Sequence, residues 1–271
     1  MSHRWTTVAL LAVAAVNAVL AGTGVIGART ALVVLLLVEI PLLVWSVRRL
    51  LRTYRRYRRR ASRGEAWRAV LEGDPMLRIV AGEAAVFASL ARWILRRPDI
   101  PGDRRALGYA RGTQAVPLLL AGVCAVEVVV VHLIVPWPPV RLALDVLGVY
   151  GVLAVLGMSA AQAVRPHLLD SRSLGLRFGL HDCGELTRAA VADVRPLHRM
   201  EHTSPVFETI DGVPALTLAG SFGTNMCVDL ATPVTLSLRI WPWSRPRSRS
   251  VERVLLHLDD PELLRRWAVS A

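Results

Sequence analysis

"RRLLRTYRRYRRR", residues 48–60, places arginine at eight of thirteen positions, directly after an apolar run that ends at Val47. Its reading decides the fold. An arginine-dense arm on a soluble domain points to nucleic acid, whereas the same arm after an apolar helix marks the cytoplasmic edge of a membrane span. The rest of the chain separates the two. Of 271 residues, 53% are hydrophobic and the mean hydropathy is +0.41, too apolar for an ordinary soluble protein. The formal charge is +12, but the surplus is local: residues 48–113 hold 17 arginines against 6 acids, and residues 165–271 hold 13 against 12. All 33 basic residues are arginine, and Ala, Val, Leu and Gly are heavily used. That pattern fits GC-rich coding, so arginine abundance alone does not imply a nucleic-acid partner.

Four stretches are long and apolar enough to span a bilayer core, which takes about 20 residues of helix. They are about 5–26, 31–47, 116–135 and 140–164. Short turns join each pair, "GART" in the first and the proline-rich "PWPP" in the second. The expected fold class is an α-helical membrane protein: two transmembrane hairpins over residues 1–164, followed by a β-rich domain over 165–271. The short turns carry one arginine each, Arg29 and Arg141, and the central loop carries seventeen. Arginine near a span's end is retained inside. The expected localisation is therefore the cell membrane, multi-pass, with the loop 48–113 and both termini cytoplasmic.

Residues 48–60 then continue the second helix out of the bilayer. Arg48, Arg49, Arg52, Arg55, Arg56 and Arg59 are expected to meet anionic lipid headgroups, each such charge contributing about 1 kcal/mol near the surface. A cleaved signal peptide would have a shorter apolar core than the first run. Residues 76–97, "MLRIVAGEAAVFASLARWILRR", are interrupted by Arg78, Glu83 and Arg92. They read as an amphipathic helix on the inner leaflet rather than a fifth span, because a charge at the bilayer centre costs about 2.5–3.5 kcal/mol on insertion scales.

Polar groups within the spans mark candidate sites. Equidistance from the second turn, centred near residue 138, puts His132 level with Asp145 and Glu127 level with Tyr150. The same reasoning puts Asn17 level with Glu39 in the first hairpin. These residues could bind a cation or relay protons, a pair of buried carboxylates sharing one proton. Alternatively they hydrogen-bond the helices together. Gly148, Gly151 and Gly157 suit close helix packing.

After residue 165 the pattern changes to short alternating segments. "LGLRFGL" (174–180), "VPALTLAG" (213–220), "TNMCVDL" (224–230), "VTLSLRI" (234–240) and "RVLLHLD" (253–259) read as strands. "ELTRAAVADVRPL" reads as a strand and turn or as a short helix, and "WPWSRPRSR" (241–249) as an irregular loop. The end, "DDPELLRRWAVS", is a helix with Asp260 as N-cap, Pro261 at the first position and Leu263, Leu264 and Trp267 on one face.

"LGLRFGL" as an opening strand, "TNMCVDL" followed by Pro233, and "LHLDDPELL" at a strand–helix junction resemble the bacterial pleckstrin-homology-like barrel closed by a C-terminal helix. The likeness covers about the last hundred residues. The whole arrangement resembles uncharacterised actinobacterial integral membrane proteins in which such a domain follows the spans. The resemblance implies a non-enzymatic scaffold or accessory role, with an unidentified protein partner for residues 165–271. The residues define no phosphoinositide pocket and imply no cofactor.

"HRMEH" (198–202) matches the H-x-x-E-H zinc-protease pattern, which works only when both histidines face one side of a helix. Pro196 and Pro205 leave no room for one. "HDCGEL" sets His181, Asp182 and Cys183 side by side, but adjacency is not a catalytic arrangement. Neither a P-loop nor a nucleophile elbow occurs. Cys183 and Cys227 fall in a reducing compartment, Cys124 reads as a small apolar packer in a span, and no disulfide is expected.

Overall fold

The computed structural model describes residues 48, 51–58, 62, 70, 73, 75–111, 114–202, 204–241 and 244–269. The chain divides into two compact units, Met1–Asp74 and Pro75–Ala271. In the first, residues 51–58 are helical, with Arg48, Arg52, Arg55 and Arg56 exposed and Tyr54 half-buried. The expected spans 5–26 and 31–47 lie outside the described residues, as do Asn17, Glu39, Arg49 and Arg59.

The second unit begins with three long helices, α1 (Pro75–Ile94), α2 (Ala115–Ile134) and α3 (Pro138–Val164). Among the described residues, α2 and α3 are the helices long and apolar enough to cross a membrane, and they match the expected spans 116–135 and 140–164. The turn between them follows from its prolines. Pro136 holds Val135 in an extended conformation, ending α2, and Pro138 takes the first helical position, where a missing N–H costs nothing. The apolar surface of α2 faces outward: only Ala121 is buried, while Leu119, Leu133 and Ile134 are each at least 70% exposed.

A helix is found where 76–97 was expected to form one. It runs alongside α3 in the same direction. Phe87 meets Tyr150 with ring centroids 5.6 Å apart, Val86 meets Gly157, and Ile94 and Pro98 share a crevice with Ala163 and Val164. The seam is made of small and branched residues. Gly82, Val86, Ser89 and Leu90 are buried on α1, and Gly157, Ala160, Ala161 and Val164 on α3. A Cβ on Gly157 would fall 2.8 Å from the Val86 carbonyl oxygen, so the backbones approach this closely only because none is there.

The β-rich part has two sheets. The first is ordered β1 (Arg105–Leu107), β2 (His167–Leu169), β3 (Ser173–Phe178) and β4 (His181–Thr187), all antiparallel. The second comprises β5 (Val191–Arg199), β6 (Val206–Ile210), β7 (Val213–Leu218), β8 (Thr224–Leu238) and β9 (Arg247–Leu256), in the order β5-β8-β9-β7-β6. In it β7 and β9 run parallel, with Leu216 beside Val254. The sheets close on a shared core that includes Leu174, Leu176 and Leu186 from the first and Met226, Leu236 and Leu256 from the second. Gly184, at φ +137°, lies where a Cβ would come 2.7 Å from Leu236 Cδ2, so it sets the close approach of the two sheets. The C-terminal helix α4 (Pro261–Val269) seals one end with Leu264 and Trp267, and the Trp267 indole N–H donates to the Asp170 carbonyl at 2.6 Å.

The chain path joins the two parts. β1 pairs with β2, Leu107 facing His167, yet the whole α2–α3 hairpin lies between them in sequence. The hairpin is an excursion from the β-rich domain, which takes its edge strand from the loop that precedes α2. Both ends are tied down. The Asp259 N–H donates to the Gly108 carbonyl at 2.8 Å, and the Asp99 N–H to the Val164 carbonyl at 2.7 Å.

Candidate functional site

Arg165, the residue after α3, sits where helix, loop and sheet converge. Its side chain is 12% exposed and its guanidinium donates to Asp99 Oδ2 (3.2 Å), Asp182 Oδ1 (2.8 Å) and the Gly179 carbonyl (3.4 Å). Arg177 on β3 is equally covered. Its Nε lies 3.1 Å from Asp182 Oδ1, and its Nη1 donates to the Asp99 carbonyl at 2.8 Å. Arg92 reaches Asp99 from α1 at 3.5 Å. Covered guanidinium groups are stable only when paired and hydrogen-bonded, so this network fixes α1, α3 and the first sheet together.

Under it lies an aromatic stack. Tyr109 is buried with its ring 4.7 Å from His167 and 5.9 Å from Phe178, and its hydroxyl accepts the Gly179 N–H at 2.9 Å. His167 Nδ1 accepts the Arg177 backbone N–H at 3.0 Å, which requires neutral imidazole with its proton on Nε2. Burial, aided by the Arg177 charge, pulls His167 down to about 3. Burial also pushes the Tyr109 phenol well above its ordinary range. Neither group titrates near neutral pH, so the stack serves as support.

Within the helical hairpin, His132 Nδ1 and Asp145 Oδ2 meet at 2.7 Å, and Asp145 Oδ1 is buried with no hydrogen-bond partner among the described residues. Glu127 and Tyr150 do not meet. The Tyr150 hydroxyl lies against Glu83 of α1, while Glu127 lines a groove of about 290 Å³ between α2 and α3 with Cys124, Gly148 and Gly151. Equidistance from a turn fixes level and not rotation, and the side of α3 that carries Tyr150 is the side α1 covers.

The β-rich domain carries a cleft of about 640 Å³ between the first sheet and α4. Arg104, Arg105, Arg188 and Arg266 line it, with Asp103, Asp170, Leu263 and Trp267. Arg104 is held by Asp170 (3.3 Å) and Glu185 (3.5 Å), and Arg188 lies over the Trp267 ring at 5.4 Å. Arg105 and Arg266 are exposed and meet no carboxylate within 4.0 Å among the described residues. Nothing in the local sequence marked this cleft, because its arginines come from three separate segments.

The two short motifs resolve differently. "HRMEH" is not helical: His198 lies on β5, while Glu201 and His202 follow it in the turn. His202 pairs with Glu208 at 3.1 Å, and Glu201, His202 and Glu208 bring ligand atoms within 4.8 Å of one another. These are the residues that could offer ligands to one ion. Arg199 already pairs with Glu201, and the Thr217 hydroxyl with Glu208. In "HDCGEL", Cys183 is buried and its thiol is pushed up to about 12, chiefly by desolvation and then by Asp182. It is therefore no thiolate nucleophile at neutral pH.

These features define a class: a β-rich domain with an apolar two-helix excursion and an arginine clamp where the two join. No family model, curated protein or solved structure matches the chain.

Proposed function

We propose that this is a polytopic inner-membrane protein that acts as a non-enzymatic scaffold or accessory protein, its β-rich, PH-like domain recognising a protein partner. The reading has four spans and cytoplasmic N- and C-termini. Its main support is the excursion of α2 and α3, whose apolar side chains face outward from a folded domain and need lipid to cover them. Arginine bias supplies the orientation. In this reading the loop 48–113 is cytoplasmic, and the exposed arginines of 48–58 meet anionic headgroups. The domain is clamped rather than tethered, so a partner bound to it is held at a fixed place relative to the bilayer. The 640 Å³ cleft, with Arg105 and Arg266 unmatched among the described residues, suits an acidic protein segment.

The test is co-purification from native membranes of the full chain and of an Arg105→Glu/Arg266→Glu variant. The variant is expected to stay in the membrane and lose a protein that the wild type retains. Identical co-purifying sets would remove the cleft from the reading.

A transporter or ion-binding role is the second reading, favoured by the Asp145 oxygen that has no hydrogen-bond partner among the described residues. Proteoliposomes containing the wild type, Asp145→Asn and Glu39→Gln/Glu127→Gln would decide it. Proton or cation flux lost in the variants at unchanged thermal stability would replace the scaffold.

A further inference from the structure

β8 and β9 are the longest strands of the domain, and their pairing ends at Leu238 opposite Arg247. The loop between them, 239–246, reads "RIWPWSRP". Soluble hairpin tips are built from Gly, Asn, Asp and Ser; this one presents Ile240 at 58% and Trp241 at 51% exposure. Its first residues lie against α3. Arg239, Ile240 and Trp241 share a crevice of about 100 Å³ with Met158, Ala161 and Gln162 of α3 and with the β3–β4 turn. His181 on β4 holds the hairpin there through Ser237, Nε2 to Oγ at 3.0 Å.

The level of that crevice along α3 is informative. α2 starts at Ala115, and equidistance from the turn places this start opposite residues 160–162 of α3. Met158, Ala161 and Gln162 thus sit at the inner end of the apolar hairpin. A second segment arrives at the same level from elsewhere in the chain. Trp93, Ile94 and Leu95 are exposed beside Ala163 and Val164, flanked by Arg92, Arg96 and Arg97. Arginines likewise occur in and just after the loop, at 245, 247 and 249, and no acid lies between Asp229 and Glu252. Tryptophan with arginine around the inner end of a span is the composition of a membrane interface.

We propose that the β8–β9 loop is a membrane anchor: Ile240 and Trp241 enter the headgroup–acyl boundary of the anionic inner leaflet, level with Trp93, and pin the β-rich domain against the bilayer. This rests on the proposed membrane insertion of α2 and α3. The arginines around the loop meet lipid phosphates while the apolar tip goes deeper, the two-part recognition of an interfacial anchor. The opposite end of β8 supplies an internal control. Phe222 is 63% exposed there, just before Thr224, fourteen residues along the strand from Leu238.

The experiment is spin-label accessibility on the full chain in vesicles of mixed phosphatidylcholine and phosphatidylglycerol. Labels are placed singly at Ile240→Cys, Phe222→Cys and Val126→Cys in a Cys124→Ala background; Cys183 and Cys227 are buried. Val126 is an exposed residue of α2. The ratio of collisions with oxygen to collisions with an aqueous nickel complex is expected to be several-fold higher at 240 than at 222, and highest at 126. A ratio at 240 equal to that at 222, with 126 in hydrocarbon, overturns the anchor alone. A label at 240 shielded from both reagents also overturns it, in favour of a protein contact. An aqueous label at 126 overturns the membrane insertion, and the anchor with it.

Discussion

Arg165 Nε lies 3.2 Å from Asp99 Oδ2, joining the residue that ends α3 to the segment that leaves α1. Asp99 also faces Arg92 and Arg177, so one carboxylate serves three guanidinium groups. Replacing it with Asn keeps size and removes charge. Asp99→Asn is expected to lower stability by about 2 kcal/mol, the scale of a lost hydrogen bond to a charged group. Thermal unfolding of the full chain in detergent measures it. Limited proteolysis should show faster cutting around residues 96–104 in the variant. An unchanged melt with unchanged proteolysis would mean that the clamp contributes nothing.

Acid should loosen the β-rich domain through His167. Unfolded, this histidine takes a proton near 6.5; folded, burial lowers that to about 3. Between those values the unfolded chain binds more protons. Stability is therefore full above about 6.5 and falls as the pH drops toward 3, by about 1.4 kcal/mol per pH unit for one group. His181 and His257, lowered chiefly by burial, add to the loss in the same direction. His167→Asn keeps an acceptor for the Arg177 N–H and removes the titration. Urea unfolding between about pH 7 and about pH 4 should show a shallower slope in the variant than in the wild type, whatever its stability at neutral pH.

What could be read from the chain, and what could not, follows from the range of each signal. Capping chemistry is local, so α4 begins at Pro261 and buries Leu264 and Trp267 as expected. Apolar length is local too, so α2 and α3 lie where the runs are. Strand β1 is three residues, "RAL", inside an arginine-rich loop, and only its pairing with β2 across 60 residues makes it a strand. β4 is the polar stretch "HDCGELT", and β6 also lacked a clear alternation. The segments 224–230 and 234–240 are one strand, β8, with a register shift between Asp229 and Val234 where Pro233 cannot donate to the ladder. β9 begins at Arg247, within the stretch expected to be irregular, because Val251 and Val254 carry it into the core. Tyr150 shows the same limit at the candidate site: its partner is on α1, which no periodicity within the hairpin reveals.

The His132–Asp145 contact lies near the turn of the helical hairpin, with the histidine 56% and the aspartate 22% exposed. If the pair holds the helices together, a double-mutant cycle with His132→Ala and Asp145→Ala should give a coupling of about 0.6–1.7 kcal/mol, the range of polar contacts between membrane helices. Unfolding in mixed micelles of graded denaturing detergent measures it. A coupling near zero, with both single variants as stable as the wild type, would remove the structural role and leave the residues available for an ion or proton.

Gly157 tests the lengthwise packing of α1 on α3. A larger side chain there meets the Val86 backbone carbonyl, which cannot turn aside as a side chain could. Gly157→Leu should force the helices apart and cost about 1–3 kcal/mol, the range for overpacking a tight contact. Gly122 on α2 has nothing within 4 Å of an added Cβ, so Gly122→Leu makes the same chemical change in open space. It should leave the melting temperature nearly unchanged. The contrast isolates the contact, since both substitutions improve helix propensity over glycine. Equal tolerance of the two variants would mean that the Gly157–Val86 contact does not hold α1 on α3, whereas the contact makes only Gly157→Leu destabilising.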